Sequence, residues 1–316
     1  MTFKNPVHLI LRLTFEFHVL HFFVKMKLIP YSGSSEWKNG SFVKEEEEKK
    51  YENLYQPYLQ ASEWLDKTID HFFSNQSKQV EPIVQACEKM LGEHLAHPIV
   101  VSHPCVLSRN GGYHQFVKNM KYSFSAVVND GVVQRSWTSG ELQQNMEELL
   151  SYAVEIMDVD VSFKDFCQKM EDKITSLGLF PVSDTYGYEA TKNIPLTKNS
   201  TNKMVENGVY VVRIQVKERN LEPNTFSRGS EYFIFTDKKV PLKLHSSKKI
   251  LFDLRNRKKF GFCSRHVKHI QGHLIGLKDL LDKGIINEVP LVMFDENMTG
   301  EITRTVILKP TSKLML

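Results

Sequence analysis

The stretch Tyr122-Ser123-Phe124-Ser125-Ala126-Val127-Val128, then Asn129-Asp130-Gly131, then Val132-Val133-Gln134-Arg135, decides the fold. β-branched and aromatic residues flank a turn signal, which predicts strand, tight turn, strand. Upstream the period changes. After the charged run Lys44 to Lys50, Leu54, Tyr58, Ala61, Trp64, Leu65 and Ile69 recur every three or four residues, the spacing of an amphipathic helix. Pro82 in a first turn, followed by Ile83, Ala86, Cys87 and Met90 on one face, predicts a second helix. His97 to Ser102 reads as a strand and Asn110-Gly111-Gly112 as a turn.

Downstream, helical patterns run over Glu141 to Met157 and Phe163 to Leu177, with Asp158 and Asp160 as loop or cap residues between them. A polar loop is expected over 191–203, then strands at Val209-Tyr210-Val211-Val212 and Tyr232-Phe233-Ile234-Phe235. Ser246 or Ser247 is placed to cap a short helix reaching about Lys259. His273 to Leu281 reads as helical and Ile302 to Leu308 as extended. Strands and helices alternate without a Gly-rich phosphate loop or a repeat. The expectation is one mixed α/β or α+β domain from about 50 to 316 that no linker divides.

The 316 residues carry 41 Lys+Arg against 37 Asp+Glu, a formal charge of +4. A hydrophobic share of 41% with 20 Phe supports a real core, which excludes wholesale disorder. Cys87, Cys105, Cys167 and Cys263 form no CxxC pair, so neither a zinc ribbon nor a disulfide framework is expected; they read as reduced, small apolar residues. Leu9 to Val24 is apolar but broken by Arg12, Glu16, His18 and His21, too short a run for a membrane span. Residues 1–49 read as a poorly ordered extension, or as a reading frame opened upstream of a true start at Met26. Ser312-Lys313-Leu314 is followed by Met315 and Leu316 and is no peroxisomal address.

Four short segments stand in an order that carries a resemblance: Cys87-Glu88-Lys89, the Val128-Asn129-Asp130-Gly131 hairpin, Val209-Tyr210-Val211-Val212 and Thr305-Val306-Ile307-Leu308-Lys309-Pro310. Together they resemble the pita-bread (creatinase/methionine aminopeptidase-like) fold of type 2 methionine aminopeptidases, and their non-peptidase relatives, the proliferation-associated ErbB-receptor-binding proteins. The resemblance implies an α+β pita-bread fold with a small basic helical insert at about 238–270. Active members hold two metal ions with two Asp, one His and two Glu. Carried over, those carboxylates fall near Phe124 and Arg135, on Arg213 and on Thr303, and no His lies between His114 and His245. A guanidinium at a ligand position repels a cation. The resemblance therefore implies a pseudoenzyme with no catalytic residues, no metal and no cofactor. His114, after Gly111-Gly112-Tyr113, sits near the family's substrate-facing His and reads as a loop residue without a metal beside it.

No GxSxG, HExxH, GxxxxGK[ST] or GxGxxG motif is present. His94 with His97, and His266, His269 and His273, have spacings that place imidazoles on one helical face; the trio is the metal-like pattern, but it has no carboxylate nearer in sequence than Asp279, and its alternative is a basic or solvent-facing surface.

Charge is concentrated in one place. Lys238, Lys239, Lys243, Lys248, Lys249, Arg255, Arg257, Lys258, Lys259, Arg265 and Lys268 lie within 31 positions that hold one acid, Asp253. Lys248, Phe252, Arg255 and Lys259 align on one helical face, leaving Ile250, Leu251 and Leu254 to face inward. Such a surface neutralises phosphates, so these eleven residues are the expected nucleic-acid-binding set. In the resembled relatives this insert contacts ribosomal RNA near the nascent-chain exit. The implied function is a catalytically inactive, monomeric protein of the cytoplasm, also nucleus or nucleolus, associated with the large ribosomal subunit or another structured RNA. Protein partners are admitted and a membrane is not. The alternatives are a divergent metallo-aminopeptidase with displaced ligands and a protein-interaction scaffold.

Overall fold

The computed structural model describes residues 26–30, 52–75, 79–103, 106, 119–128, 131–226, 232–255, 260–293 and 298–316. Lys27–Pro30 (β1) is followed by Glu52–Phe73 (α1) and Val80–Leu91 (α2). Then come Val100–Ser102 (β2), Lys121–Val128 (β3), Gly131–Thr138 (β4), Gln143–Ile156 (α3) and Phe163–Ser176 (α4). Phe180–Pro181 (β5), Thr185–Glu189 (β6), Ile194–Thr197 (β7) and Val209–Lys217 (β8) lead to Asn224–Phe226 (β9) and Tyr232–Phe235 (β10). His245–Asp253 (α5), Phe262–Cys263 (β11), His273–Asp282 (α6), Ile286–Glu288 (β12) and Leu291–Met293 (β13) precede Thr299–Leu308 (β14) and Ser312–Met315 (β15).

The main sheet runs β2-β3-β4-β14-β8-β6-β7, with β15 and then β1 continuing from β14 and β5 lying on β8. One helix pair backs each half. α1 and α2 bury Tyr58, Ala61, Leu65, Phe72, Ile83 and Cys87 against β3 and β4, where Phe72 meets Phe124 edge-on at 5.5 Å and Trp137 stacks on Phe124 at 5.7 Å. α3 and α4 bury Leu149, Ala153, Phe166 and Met170 against the even-numbered residues of β8 and β14. α4 starts where Ser162 Oγ accepts a hydrogen bond from the Asp165 N–H at 3.0 Å, a first-turn donor otherwise left open.

The predicted hairpin pairs Val128 with Gly131 and stays in register to Lys121 and Thr138; its turn residues 129 and 130 lie outside the described residues. Other expectations shift. The polar stretch 191–203 contains β7, and β6 precedes it unpredicted; β6 carries a bulge in which Gly187 adopts φ +122° with its Cα against the Val211 carbonyl. α5 ends at Asp253 rather than near Lys259, and residues 256–259 lie outside the described residues. Within the expected N-terminal extension, Lys27–Pro30 pairs with Ser312–Met315 as part of the sheet. Lys313 is fully buried, and its ammonium donates to the Val154 and Glu155 carbonyls at 2.8 Å, closing the C-terminal end of α3.

The insert forms a separate lobe: the sheet β11-β10-β12 with α5 and α6 around Phe233, Ile250, Phe262, Leu277 and Leu280. One buried carboxylate ties it to the main sheet. Glu88 on α2 accepts two hydrogen bonds from the Arg265 guanidinium, one from His266 Nε2 at 3.0 Å and one from the Ile99 N–H at 2.8 Å. Burial would raise the Glu88 pKa, but Arg265 and His266 outweigh it and hold it at about 2. A carboxyl held below its usual 4.5 stabilises the fold above pH 4.5, and that contribution is lost as pH falls toward 2. The shift corresponds to about 3 kcal/mol by linkage. Glu88→Gln is expected to lower stability at pH 7 by about 3–5 kcal/mol, because Arg265 is left buried without its counter-charge. It should also flatten the decline between pH 4.5 and 2, and urea unfolding at a series of pH values reads both effects.

Candidate functional site

Antiparallel partners directly opposite one another share a face of the sheet. Ser123 pairs with Ser136, Ser136 with Thr303, and Thr303 with Arg213, so these four residues form one row across β3, β4, β14 and β8. Ser125 faces Gln134 one step along. The face away from the helices is thus polar through the centre of the molecule, although most of it is buried.

Side chains make much of its hydrogen bonding. Ser136 Oγ donates to Thr303 Oγ1 at 2.7 Å, and the Gln134 N–H donates to Thr305 Oγ1 at 2.9 Å. Thr138 Oγ1 accepts from the Glu301 N–H at 2.7 Å and donates to the Glu301 carbonyl at 3.1 Å. Arg213 pairs with Glu301 at 3.2 Å, and Gln215 Nε2 donates to the same carboxylate oxygen at 2.7 Å. Burial pushes the Glu301 carboxyl up; Arg213 and Lys121 outweigh that and keep it at about 2. Gln134 Oε1 and Arg213 Nε are buried without hydrogen-bond partners among the described residues.

Arg213 and Thr303 lie on this face as placed from sequence. Phe124 and Arg135 do not: both point to the helices. Phe124 is in the aromatic core, and Arg135 donates to Asp66 Oδ1 and Ser62 Oγ of α1, both at 2.5 Å. Ligands must converge on one face, so the first two positions move by one residue to the row holding Ser123, Ser125, Gln134 and Ser136. Arg304 is buried on the helix side with Arg135; burial and then the Arg135 charge push its pKa down, while Arg304 Nη1 donates to the Ser136 carbonyl at 2.9 Å.

The histidines do not converge. His266 is bound to Glu88, His269 Nε2 approaches Asp253 at 3.0 Å, and His94 stacks on Trp64 at 3.9 Å. The fold thus supplies carboxylates that sequence spacing placed no nearer than Asp279. His97 Nδ1 contacts the Phe260 carbonyl at 2.9 Å. Among the described residues, one trio of metal-ligand type gathers within 4.8 Å: Glu88, Cys263 and His266. The Arg265 guanidinium already occupies that carboxylate. Cys87, Cys167 and Cys263 are buried thiols, and burial raises Cys87 and Cys167 to about 12, so neither is a nucleophile. His114 and Cys105 lie outside the described residues.

In the basic lobe, Lys238, Lys239, Lys243, Lys248, Lys249, Arg255 and Lys268 are exposed, whereas Arg265 is buried on Glu88. Arg265 therefore leaves the surface set, and Lys268 contacts Glu81 at 3.1 Å. Arg257, Lys258 and Lys259 lie outside the described residues. Ile250 and Leu254 are buried as the helical wheel predicts, and Phe252 is 65% exposed with the Arg255 guanidinium 4.3 Å above its ring.

The two faces of β3 predict opposite responses to truncation. Phe124→Ala should cost about 3–5 kcal/mol of unfolding free energy. Ser123→Ala should change it by less than about 1 kcal/mol, since its contact with Gln134 is long, 3.5 Å. Urea denaturation of both variants checks the assignment of faces.

No protein-family model matches the chain. Methionine aminopeptidase 2 of Verticillium alfalfae is 26% identical over 223 residues, covering 61% of this chain and 50% of that protein. The Malassezia globosa methionine aminopeptidase 2 is 31% identical over 80 residues, 23% of this chain and 17% of that protein. The chain spans half the length, or less, of these curated relatives. Among solved structures, a thermophilic Arx1 superposes with a TM-score of 0.66 at 13% identity, covering 82% of this chain and 89% of that one. The methionine aminopeptidase of Rickettsia prowazekii superposes with a TM-score of 0.50 at 10% identity, covering 81% and 91%. Sequence relatives and fold agree: the chain is similar to methionine aminopeptidases in sequence and has their pita-bread fold.

Proposed function

We propose that this protein is a non-peptidase member of the methionine-aminopeptidase-like family that docks on ribosomal or other structured RNA through its basic lobe. The observation that carries the reading is the row Ser123, Ser136, Thr303 and Arg213, with Gln134 beside it. Hydroxyls, an amide and a guanidinium form this row, onto or beside which the resemblance carries the metal-binding carboxylates. The one carboxylate on this face among the described residues, Glu301, is engaged by Arg213 and Gln215. That donor set does not fit a pair of divalent cations, which need several free carboxylates and an imidazole.

The RNA half of the reading rests on the lobe. Lys243, Lys248, Lys249 and Arg255 are exposed on α5 and the segment entering it, and the Phe252–Arg255 pair offers an aromatic and a guanidinium side by side. Contacts of this kind to phosphates position a protein without reading sequence. The large ribosomal subunit is the partner implied by the resemblance, and the location read with it is the cytoplasm, also the nucleus or nucleolus. No helix among the described residues is long and apolar enough to cross a membrane.

Purified protein is expected to co-sediment with large ribosomal subunits at low salt and to be released at moderate salt. Replacing Lys248, Lys249 and Arg255 by Glu should weaken binding at least about tenfold and lower the slope of log affinity against log salt by about 1 for each phosphate contact removed. Unchanged binding would overturn the basic-face assignment. The same preparation should contain no stoichiometric divalent metal and release no N-terminal Met from a short peptide. Bound metal together with Met release would instead make the chain a divergent aminopeptidase. Binding to proteins at high salt with no RNA present would favour a scaffold.

A further inference from the structure

A cavity of about 760 Å³ opens on the insert lobe, away from the polar sheet face. Its apolar wall comes from Phe235, Leu251 and Ile285, and Asp237, Lys238 and Lys239 stand at its rim. Its size is that of small-ligand sites, which combine an apolar wall with a few fixed polar groups. The rim is held in place. Thr236 Oγ1 donates to the Gly284 carbonyl at 2.7 Å, the Thr236 N–H donates to the Ile285 carbonyl at 2.9 Å, and the Lys238 N–H donates back to Thr236 Oγ1 at 3.2 Å. Phe235 packs against Phe262 at 5.1 Å, which fixes its ring as a platform. The three charged side chains are exposed and make no hydrogen bond or ion pair among the described residues.

We propose that this cavity receives an unpaired guanine base of single-stranded RNA, with Lys238 and Lys239 on the adjoining phosphates. This inference rests on the RNA reading of the lobe and names the nucleotide it selects. Each group has a part. Unpaired bases in RNA loops are held by stacking on aromatic side chains and by hydrogen bonds to their Watson–Crick edge. Phe235 supplies the ring. Asp237 is an acceptor-only group with two oxygens, and the guanine edge offers adjacent N1–H and N2–H donors that match it. Cytosine and adenine offer one amino group there and uracil a single ring N–H. The Asp237 carboxylate beside Lys238 and Lys239 disfavours an acidic peptide in the same place and leaves the cations for phosphates that flank the base.

Fluorescence anisotropy of the full chain with labelled eight-nucleotide RNAs tests the assignment. A strand with one guanine in a uridine background should bind at least tenfold tighter than all-uridine or the paired duplex of equal length. Asp237→Asn should reduce the guanine preference at least fivefold without moving the unfolding midpoint. Leu251→Trp, which fills the cavity, should remove the preference as well. Equal affinity for all bases, equal affinity for the duplex, or displacement of RNA by a Glu-rich peptide would overturn the proposal. If ribosome co-sedimentation remains salt-sensitive while guanine preference is absent, the cavity assignment fails and the basic-face reading stands. If neither is found, both fail.

Discussion

The two halves of the main sheet meet at a seam that the backbone barely closes. β14 lies in register with β8 over nine positions but pairs with β4 at Thr303–Ser136 alone. Buried backbone groups left open cost free energy comparable to a lost hydrogen bond. The side chains of Ser136, Thr138, Thr303 and Thr305, together with the Arg304 guanidinium, supply the missing donors and acceptors across the gap. That requirement explains why a row at the centre of the molecule is hydroxyl-rich instead of apolar. It also sets how far the helix pairs on either side can approach each other.

The same seam governs what the polar face can do. A hydroxyl that completes a hydrogen bond between sheet halves has its proton or a lone pair committed there. Ser136 and Thr303 are bound to each other, and Thr305 accepts from the Gln134 backbone. Arg213, opposite Thr303, is neutralised by Glu301, which sits two residues along β14 on the same face. Among the described residues, the polar groups of this face bond largely to one another. On the lobe, Lys238, Lys239, Lys248 and Lys249 reach solvent.

Much of the architecture was legible because periodicity is a local property. The hairpin, α1, α2, α4 and α6 all follow from spacing within a dozen residues, and their core faces are those the wheel or the alternation predicts. The site was legible only to within one residue on β3 and β4, and in a strand one residue is the difference between opposite faces. Phe124 and Arg135 point to the helices for that reason, while the register from Thr303 through Ser136 to Ser123 puts the polar row one residue away. β6 and β7 stayed hidden because they are short, carry Gly187 and Pro195, and form the sheet edge, where little apolar surface marks a strand.

Arg265 shows the other limit. In sequence it belongs to a run of cations, and nothing within ten positions distinguishes it from Arg255. Its partner Glu88 is 177 residues away. A buried guanidinium needs a buried carboxylate, and only the fold brings the two together. The pairing divides the basic segment by function. The Arg265 end anchors the lobe on α2, with Lys268 reaching Glu81 of the same helix, and the α5 end faces outward with its charge unneutralised. The anchor ties the lobe that carries the cavity and its lysines to α2. A surface that is both charged and held rigid can engage a structured partner with less loss of conformational entropy than a flexible basic tail.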